Sequence, residues 1–301
     1  MPTLRTKWVA ILKLACAAAA GVLVVACGSI GAFGAGASGS GEAPSTGATQ
    51  AMGPNAKSAI VLVMENRDYD RVIGNRDAPY INAELVPQAA LMTNSHAVGH
   101  PSQPNYLALF SGSTQGIKND SCPHTFSEPN LGAELLAAGE SFVGYSESMP
   151  SDGFTGCHQP LYARKHNPWV DFTNVPAASN LVYDGFPPTP PTVAFVVPNL
   201  CHDMHNCTTA AGDRWLRNHL PPILQYVAAS DGLLVITWDE AAPDADGTDH
   251  IPTLLIGPMI RPGSYSQHIS HYNVLRTIED IFGVACTANA CQAQPLKKMW
   301  R

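Results

Sequence analysis

Ser102 stands where a run of small polar residues gives way to an apolar helical pattern. Pro101 and Pro104 flank it, and proline is tolerated in the first turn of a helix, where its missing N–H is not needed. We therefore expect Ser102 at a helix start, where free backbone N–H groups and the helix dipole attract anions such as phosphate. A serine there can cap the helix or act as a nucleophile on a bound phosphate group, and position alone favours the cap.

Polar side chains also follow three apolar runs that are predicted to be strands. Each of them has an ordinary alternative role as a turn former or a surface residue. Because ligands bind outside the carboxyl ends of the strands in open α/β sheets, we nevertheless expect all of them at one edge of the sheet. The residues that follow the three runs are Glu65, Asn66, Asn199, His202, Asp203, His205, Asp239 and Glu240.

Carboxylates, an amide and a serine oxygen together form a set of hard oxygen ligands that suits a divalent cation. Such an ion would lower the pKa of the serine hydroxyl and neutralise phosphoryl oxygens. A histidine beside it could protonate the leaving alkoxide. The sequence has no GxSxG, HExxH or Walker A motif, which disfavours α/β-hydrolase esterases, zinc proteases of the HExxH type and P-loop enzymes.

The elements that must position these residues follow from the hydrophobic pattern of residues 58–283. Continuous apolar runs indicate buried strands, and apolar residues with a period near 3.6 indicate helices. Strands alternating with helices predict an α/β fold, in which a central, mostly parallel sheet has helices on both faces. The predicted strands are 59–64, 91–96, 141–145, 192–197, 233–238 and 251–256. The predicted helices are 79–90, the segment from Ser102, 130–138, 211–229 with an interruption at Pro221 and Pro222, and 270–282.

Turn-forming residues mark the ends of two helices and one long loop region. Asn130 and Ser270 are predicted N-caps, and Gly139 and Gly283 are predicted helix ends. Residues 147–190 are rich in proline, glycine, asparagine and aromatic residues and are expected to form loops. Loops of that length in a compact domain usually shape a functional site.

The N-terminus is predicted to be an export signal covering residues 1–27. Three basic residues precede an apolar run that ends at Ala26 and is shorter than the ~20 residues that a membrane span needs. Aliphatic and small residues directly before Cys27 resemble a bacterial lipobox, in which cleavage leaves this cysteine as the lipid-carrying first residue. A signal peptide cut elsewhere is the alternative. Residues 28–57, rich in Gly, Ala and Ser, are predicted to be a flexible linker that tethers the domain 58–301.

The composition is that of an exported globular protein. Apolar residues make up 45% of the chain, enough for a large core, and the net charge of −7 argues against nucleic acid as a partner. The predicted domain has an even number of cysteines, which suggests disulfides. Their spacing favours, without deciding, the pairs Cys201–Cys207 and Cys286–Cys291, which leaves Cys122–Cys157. A zinc site is the alternative, although the sequence has no CxxC pair.

Seven motifs resemble those of the bacterial phosphoesterase family, which contains phospholipase C enzymes and metal-dependent acid phosphatases within the alkaline phosphatase superfamily. The resemblance covers roughly residues 58–283, in order and with near-constant spacing. Its motifs are Val61–Arg67, His100–Phe110, Lys165-His166, Pro168-Trp169, Asp203–His205, Thr237–Glu240 and Ile269–Leu275.

The resemblance implies an alkaline phosphatase-like sandwich around the sheet and a nucleophile that becomes phosphorylated. The chain lacks the full set of histidine-bearing motifs that the two-zinc members of the superfamily have. One divalent ion of unknown identity is therefore expected. His271, at a helix start, is as compatible with a structural role as with a functional one. By motif, the implied nucleophile is Ser102; the implied metal ligands are Glu65, Asn66, Ser102, Asp239 and Glu240; the implied catalytic residues beside them are His205, Asp203 and His100; and the implied phosphate contacts are His100 and Asn119.

The expected function is metal-dependent hydrolysis of phosphate monoesters, as by an acid phosphatase, through a phosphoserine intermediate. A phospholipase C-type phosphodiesterase that acts on lipid headgroups is the alternative, and a non-catalytic ligand-binding lipoprotein is an alternative of another class. Expected substrates include phosphoinositides and other phospholipids. We expect a monomer that is held at the outer surface of the cell membrane by the lipid on Cys27, with free secretion as the alternative.

Overall fold

A nine-stranded mixed sheet forms the centre of the structure, a computed structural model that describes residues 55–244 and 247–301. The strands are β1 (Ser58–Met64), β2 (Ala90–His96), β3 (Phe142–Ser146), β4 (His158–Gln159), β5 (Tyr162–Ala163), β6 (Asn180–Val182), β7 (Val193–Val197), β8 (Gly232–Trp238), β9 (His250–Ile256), β10 (Gly263–Tyr265) and β11 (Ile269–Ser270). The spatial order is β10-β2-β9-β8-β1-β7-β3-β6, with β11 also beside β2, while β4 and β5 form a separate hairpin. Only β9 runs antiparallel to its neighbours in the large sheet, so the predicted mostly parallel sheet is confirmed.

Helices cover both faces of this sheet, as predicted. Successive side chains of a strand point to opposite faces, and β1 shows the consequence: Val61 packs into one apolar core and Leu62 into the other. The α-helices of the described residues are α1 (Ser102–Ser111), α2 (Leu131–Ala137), α3 (Thr209–Ala229) and α4 (His271–Phe282). The first core contains residues of α1, α2 and α4, and the second contains residues of α3.

The carboxyl edge of the parallel strands collects the segments that carry the polar motifs. β1, β7 and β8 are parallel neighbours, so the residues that follow each of them reach the same edge. β2 has the same direction, and the chain after it leads into α1 at that edge. Because β9 is antiparallel to β8, the residue before β9, Asp249, also reaches this edge, whereas the end of β9 does not.

Ser102 is the first residue of α1, but it does not cap the helix. Pro101 occupies the N-cap position, and the hydroxyl of Ser102 accepts no hydrogen bond from a first-turn N–H of the helix. The capping alternative is therefore wrong, and the hydroxyl of Ser102 is available to other partners. The helix ends at Gly112, where φ is +66° and a Cβ would lie 2.1 Å from the carbonyl oxygen of Thr287, so that only glycine fits.

The predicted caps of two other helices are confirmed. Asn130 Oδ1 accepts a hydrogen bond from the N–H of Ala133 at the start of α2. Ser270 and Asn273 form a capping box at the start of α4, and Gly283 ends that helix with a φ of +62°.

The predicted interruption of the helix at Pro221 and Pro222 is wrong, because α3 runs unbroken through both prolines. Each proline removes one backbone hydrogen bond. Both prolines are exposed, while another face of α3 is buried against the sheet, and this burial offsets the cost of the lost bonds. The buried residues include Leu216, Leu220, Ile223 and Val227.

The predicted helix 79–90 is shorter than expected. It consists of two consecutive helical turns, Ile81–Leu85 and Val86–Gln88, and β2 begins at Ala90. Pro87 contributes to the early end, because it donates no backbone hydrogen bond, and the backbone is already extended at Ala89.

Three disulfides join the cysteines of the domain in the pairing that spacing favours, and the zinc alternative is therefore wrong. The bonds are Cys122–Cys157, Cys201–Cys207 and Cys286–Cys291.

The predicted signal peptide (1–27), with Cys27, lies outside the described residues, as does most of the predicted linker (28–57). Both stay predictions. Within 55–244 and 247–301, no helix combines the length and the apolar character that crossing a membrane requires.

Candidate active site

Ser102 lies between two carboxylates at the carboxyl edge of the sheet. Its Oγ is 3.2 Å from Glu65 Oε2 and 3.1 Å from Glu240 Oε1, and it can donate a hydrogen bond to either oxygen. Glu65 directly follows β1 and Glu240 lies just beyond β8, so the parallel pairing of these strands brings both acids to the start of α1. No more than 3% of each of the three residues is exposed. The serine hydroxyl is therefore held against negative charge at a helix N-terminus.

Asp239 and Asn66 extend this acidic group. The N–H of Asn66 donates to Asp239 Oδ1 over 3.1 Å, from a left-handed backbone conformation that asparagine adopts more readily than most residues. The carbonyl oxygen of Asp239 accepts a 2.6 Å hydrogen bond from Nε2 of His271. Burial lowers the pKa of His271 to about 4, so its ring is neutral. His271 has a structural role here, because it holds the backbone after β8.

The loop after β7 brings Asp203 and His205 to the same place. The carbonyl oxygen of Asp203 accepts from the N–H of Glu65 over 2.8 Å, which joins this loop to the end of β1. The Oδ1 atom of Asp203 accepts from the N–H of His205 over 2.7 Å. The disulfide Cys201–Cys207 closes the loop that carries both residues. Through these two contacts, Asp203 fixes the backbone of Glu65 and of His205. The side chain of His205 is half-buried and faces the site.

His166 is the site residue that sequence reasoning missed. Its Nε2 is 3.0 Å from Glu65 Oε1 and its Nδ1 is 3.6 Å from Asp203 Oδ2. Its ring stacks on Tyr106 of α1, with 5.0 Å between the ring centroids. The available signals were its motif with Lys165 and its position in the long loops of residues 147–190. A single loop histidine has no periodicity that would point to Glu65.

The site offers cation ligands in two groups that share Glu65. One is the oxygen-rich group around Ser102, and the other is Glu65 with His166 and His205, whose ligand atoms all lie within 4.8 Å of one another. Buried polar atoms without partners are costly, and a divalent cation satisfies such oxygens. The donor set therefore fits a metal ion. Among the described residues, the buried atoms here without a hydrogen-bond partner include Glu65 Oε1, Asn66 Oδ1, His166 Nε2, Asp203 Oδ2 and Asp239 Oδ2.

The pKa shifts of the buried groups also fit a bound cation. Burial first, and then the charge of Asp203, raise the pKa of Glu65 well above its ordinary value. Burial, followed by the charge of Glu65, does the same to Asp239, and burial also raises the pKa of Asp203. Burial lowers the pKa of His166 well below its ordinary value. A bound cation would favour the ionised carboxylates and the neutral imidazole, which are the ligand forms.

His100 lies beside Glu240, a partner of the Ser102 hydroxyl, whereas Asn119 joins neither residue. The Nδ1 atom of His100 is 2.7 Å from Glu240 Oε2. Asn119 is exposed, and its Oδ1 accepts from the N–H and the hydroxyl of Ser121. Its neighbour Asp120 reaches the start of α1, where Oδ1 accepts from the N–H of Gln103 over 3.0 Å. The phosphate contacts predicted for His100 and Asn119 stay predictions.

Asn199 and His202 have the ordinary roles that the sequence left open. Asn199 Oδ1 accepts from the N–H groups of Cys201 and His202, at 3.0 and 3.1 Å, and so forms a turn. The Nδ1 atom of His202 is 2.8 Å from Glu147 Oε2. Neither side chain joins the group around Ser102.

The sequence matches one protein family and is similar to known phosphatases. Residues 75–285 match the model of the Phosphoesterase family. The chain is 43% identical over 266 residues to the phosphatidylinositol-3-phosphatase of Mycobacterium tuberculosis. The aligned region covers 86% of this chain and 88% of that protein. It is 28% identical over 243 residues to an acid phosphatase of Aspergillus fumigatus. Here the aligned region covers 73% of this chain and 54% of that protein.

Solved structures share the fold at low sequence identity. A protein of the alkaline phosphatase superfamily from Vibrio parahaemolyticus has a TM-score of 0.57 at 14% identity, covering 81% of this chain and 71% of that one. The phosphonate monoester hydrolase of Agrobacterium radiobacter has a TM-score of 0.52 at 12% identity, covering 81% of this chain and 79% of that one. The fold is that of the alkaline phosphatase superfamily, as predicted.

Proposed function

We propose that this chain, which belongs to the phosphoesterase family, is a metal-dependent phosphomonoesterase with Ser102 as its nucleophile. Family membership and similarity to phosphatases make the chain a hydrolase that acts on phosphate esters. The observation that carries the finer proposal is the position of the Ser102 hydroxyl. It is buried at the N-terminus of α1, within 3.2 Å of two buried carboxylates.

Glu65, Asn66, Asp239 and Glu240 are proposed to hold one divalent cation together with the oxygen of Ser102. The unpaired buried oxygens of this group support the proposal, because oxygen ligands of this kind suit hard divalent ions. When bound, the ion supplies positive charge that lowers the pKa of the serine hydroxyl and neutralises phosphoryl oxygens.

Ser102 is proposed to attack phosphorus in line with the leaving oxygen. The bond from Oγ to phosphorus forms as the bond from phosphorus to the ester oxygen breaks, and a phosphoserine results. The two carboxylates in contact with Oγ orient the hydroxyl and offer oxygens to which its proton can pass. The dipole at the start of α1 favours the negative charge of the phosphoryl group. Water then hydrolyses the phosphoserine.

His205 is proposed to protonate the leaving alkoxide, with Asp203 fixing its backbone. The Nδ1 atom of His205 is 2.8 Å from Asn206 Oδ1, which leaves Nε2 on the side of the site, 3.5 Å from Lys165 Nζ. Burial lowers the pKa of His205, so its protonated form gives up a proton readily. If a histidine with a lowered pKa is the general acid, activity should decline as pH rises above the acidic range, because the histidine loses its proton.

Phosphoinositides are the proposed substrate class, supported by the similarity to the phosphatidylinositol-3-phosphatase of Mycobacterium tuberculosis. We further propose that the chain is exported and anchored through Cys27. Three disulfides among the described residues support an oxidising compartment. Mass spectrometry of the mature N-terminus should find a diacylated Cys27, and a first residue other than Cys27 would contradict the anchor.

The nucleophile is tested by phosphate release from p-nitrophenyl phosphate by the wild type, Ser102→Ala and a control, Ser111→Ala. Ser111 is a buried serine of the same helix whose Oγ donates to the carbonyl of Leu107. We expect Ser102→Ala to lower kcat by roughly 1,000-fold or more, with thermal stability close to that of the control. Full activity of Ser102→Ala would disprove the nucleophile assignment.

The metal and the substrate class are tested with the same enzyme. We expect chelation to abolish activity and readdition of one divalent ion to restore it, with metal content measured in parallel. Faster turnover of a phosphoinositide monoester than of bis-p-nitrophenyl phosphate and phosphatidylcholine supports the proposal, and the reverse order supports the phospholipase C-type alternative. Absence of phosphate release from every monoester, with divalent ions present, supports the non-catalytic alternative.

A further inference from the structure

Residues 164–166 carry three successive basic side chains, and each faces a different acid around the start of α1. They form a short 3-10 turn within the long loops that precede β6. The acids that they face come from three separate segments of the chain. The three pairs are Arg164–Asp171, Lys165–Asp120 and His166–Glu65.

Arg164 and His166 are both buried, and each lies against an acid inside the protein. The guanidinium of Arg164 bonds to Asp171 and to backbone carbonyls, and its residue is 7% exposed. His166 is 2% exposed and lies against Glu65. Arg164 is committed to these internal contacts, and His166 faces Glu65 within the candidate site.

Lys165 differs from both neighbours, because its side chain is 17% exposed and its ammonium group lies within the site. An ammonium has three N–H donors. Among the described residues, Nζ donates to Asp120 Oδ2 at 2.7 Å and lies 3.5 Å from His205 Nε2, which can accept from it only while Nε2 carries no proton. At least one donor is therefore left for a further partner.

Asp120 ties this ammonium to the nucleophile. Its Oδ2 accepts from Lys165, and its Oδ1 accepts from the N–H of Gln103, the residue after Ser102. The positive charge of Lys165 is thus connected through one carboxylate to the first turn of α1, on the side of the site where His205 lies.

We propose that Lys165 is a substrate-binding residue that donates to a non-bridging oxygen of the phosphoryl group on its way to Ser102. The inference rests on the proposed function, which puts a phosphate ester at Ser102. A lysine ammonium binds phosphate oxygens as a compact point charge. A monoester dianion has one more charged oxygen than a diester, so this contact also selects monoesters over diesters.

The direct test is the affinity for inorganic phosphate, measured by calorimetry on the folded protein loaded with a divalent ion. The variants are Lys165→Met, Lys165→Gln, Lys165→Arg and the control Lys118→Met, which alters an exposed lysine of the neighbouring loop. We expect phosphate to bind about 10-fold to 100-fold more weakly to the Met and Gln variants. Lys165→Arg should retain most of the affinity, and the control should retain all of it.

A kinetic readout separates binding from a structural role. Lys165→Met and Lys165→Gln should lower the ratio of kcat/KM for p-nitrophenyl phosphate to kcat/KM for its bis-ester by about 10-fold or more. Gln still can donate to Asp120, so it carries the test if the Met variant does not fold. Unchanged phosphate affinity together with an unchanged ratio would overturn the proposal.

The two proposals fail in different ways. A wild type that binds phosphate in a Lys165-dependent manner, but hydrolyses no ester, contradicts the proposed function and retains the role of Lys165 in binding. A wild type that hydrolyses monoesters with full activity in Lys165→Gln supports the proposed function and contradicts the role of Lys165.

Discussion

The imidazole of His100 lies against the carboxylate of Asp249, with 2.5 Å between Nε2 and Oδ1. Its other nitrogen is 2.7 Å from Glu240, whose second oxygen contacts the hydroxyl of Ser102. Asp249, His100 and Glu240 therefore form a series of contacts that ends at the hydroxyl of Ser102, the proposed nucleophile. Asp249 takes part because β9 runs antiparallel to β8, which brings the start of β9 to the edge where the parallel strands end.

Asp249→Asn should lower kcat by roughly 10-fold to 100-fold, because the imidazole of His100 loses its charged partner and holds Glu240 less firmly. The measurement is kcat and KM for p-nitrophenyl phosphate. Asp184→Asn, at an exposed loop position, is the matched control and should leave both constants unchanged. A kcat for Asp249→Asn equal to that of the control would contradict this prediction.

The Cys201–Cys207 disulfide should matter for catalysis more than the similar Cys286–Cys291 disulfide. Both close short loops, with sequence separations of 6 and 5, so removing either bond should cost roughly 2 kcal/mol of stability in the chain-entropy model. Only the first loop carries Asp203 and His205.

We expect replacement of Cys201 and Cys207 by serine to lower kcat/KM by about 10-fold or more, while the same replacement of Cys286 and Cys291 leaves it within about twofold. Thermal unfolding measured beside the kinetics should show similar losses for both double variants. Equal kinetic effects would refute the specific role of the first disulfide.

Arg164→Met should destabilise the protein strongly. The Arg164–Asp171 pair is buried, with side chains 8% and 1% exposed, and removal of one partner leaves an uncompensated buried charge that costs about 3–5 kcal/mol. Arg276→Met is the control, because Arg276 pairs with Asp280 near the surface of α4, where such pairs contribute less than ~1 kcal/mol. Urea unfolding of the two variants measures the difference, and similar midpoints would show that the buried pair contributes little.

Glu279 should make stability fall as pH rises through neutrality. Burial raises the pKa of its carboxyl to about 7, although hydrogen bonds from Thr287 lower it in part. The folded pKa lies above the unfolded value, so this contribution is complete below about pH 4.5 and is lost as pH rises through about 7. The loss amounts to at most roughly 3 kcal/mol.

Glu279→Gln should remove this pH dependence, because the amide is neutral at every pH and keeps an oxygen for Thr287. The measurement is the free energy of unfolding between about pH 4.5 and about pH 7, the interval between the unfolded and the folded pKa of Glu279. Glu84→Gln, at an exposed position, should leave the pH profile as in the wild type. A Glu279→Gln profile that parallels the wild type would contradict the prediction.

Local patterns sufficed for most elements and for the centre of the site. β1, β7 and β8 consist mainly of apolar residues and are buried along their whole length, so their hydrophobic runs identify them without tertiary information. Since parallel strands share one carboxyl edge, Glu65, Asp239 and Glu240 could be placed together from their positions after strands alone. The start of α1 was marked by its prolines.

Other features depended on contacts between distant parts of the chain. His166 meets Glu65, which lies 101 positions earlier in the chain, and Lys165 meets Asp120 through the fold of long loops. The direction of β9, which brings Asp249 to His100, is not encoded in its apolar run. The two prolines of α3 signalled an interruption that packing against the sheet overrode.

The sequence by itself determined the α/β architecture, the strand ends that carry the acids and the helix start that carries Ser102. Hydrophobic periodicity decides these features, because it acts over a few residues and specifies which side of an element is buried. Only the tertiary structure decided which basic groups surround the acids, and which carboxylates the hydroxyl of Ser102 contacts. Those contacts arise when loops close over long stretches of chain, and their geometry is set by packing, disulfides and paired charges rather than by any local pattern.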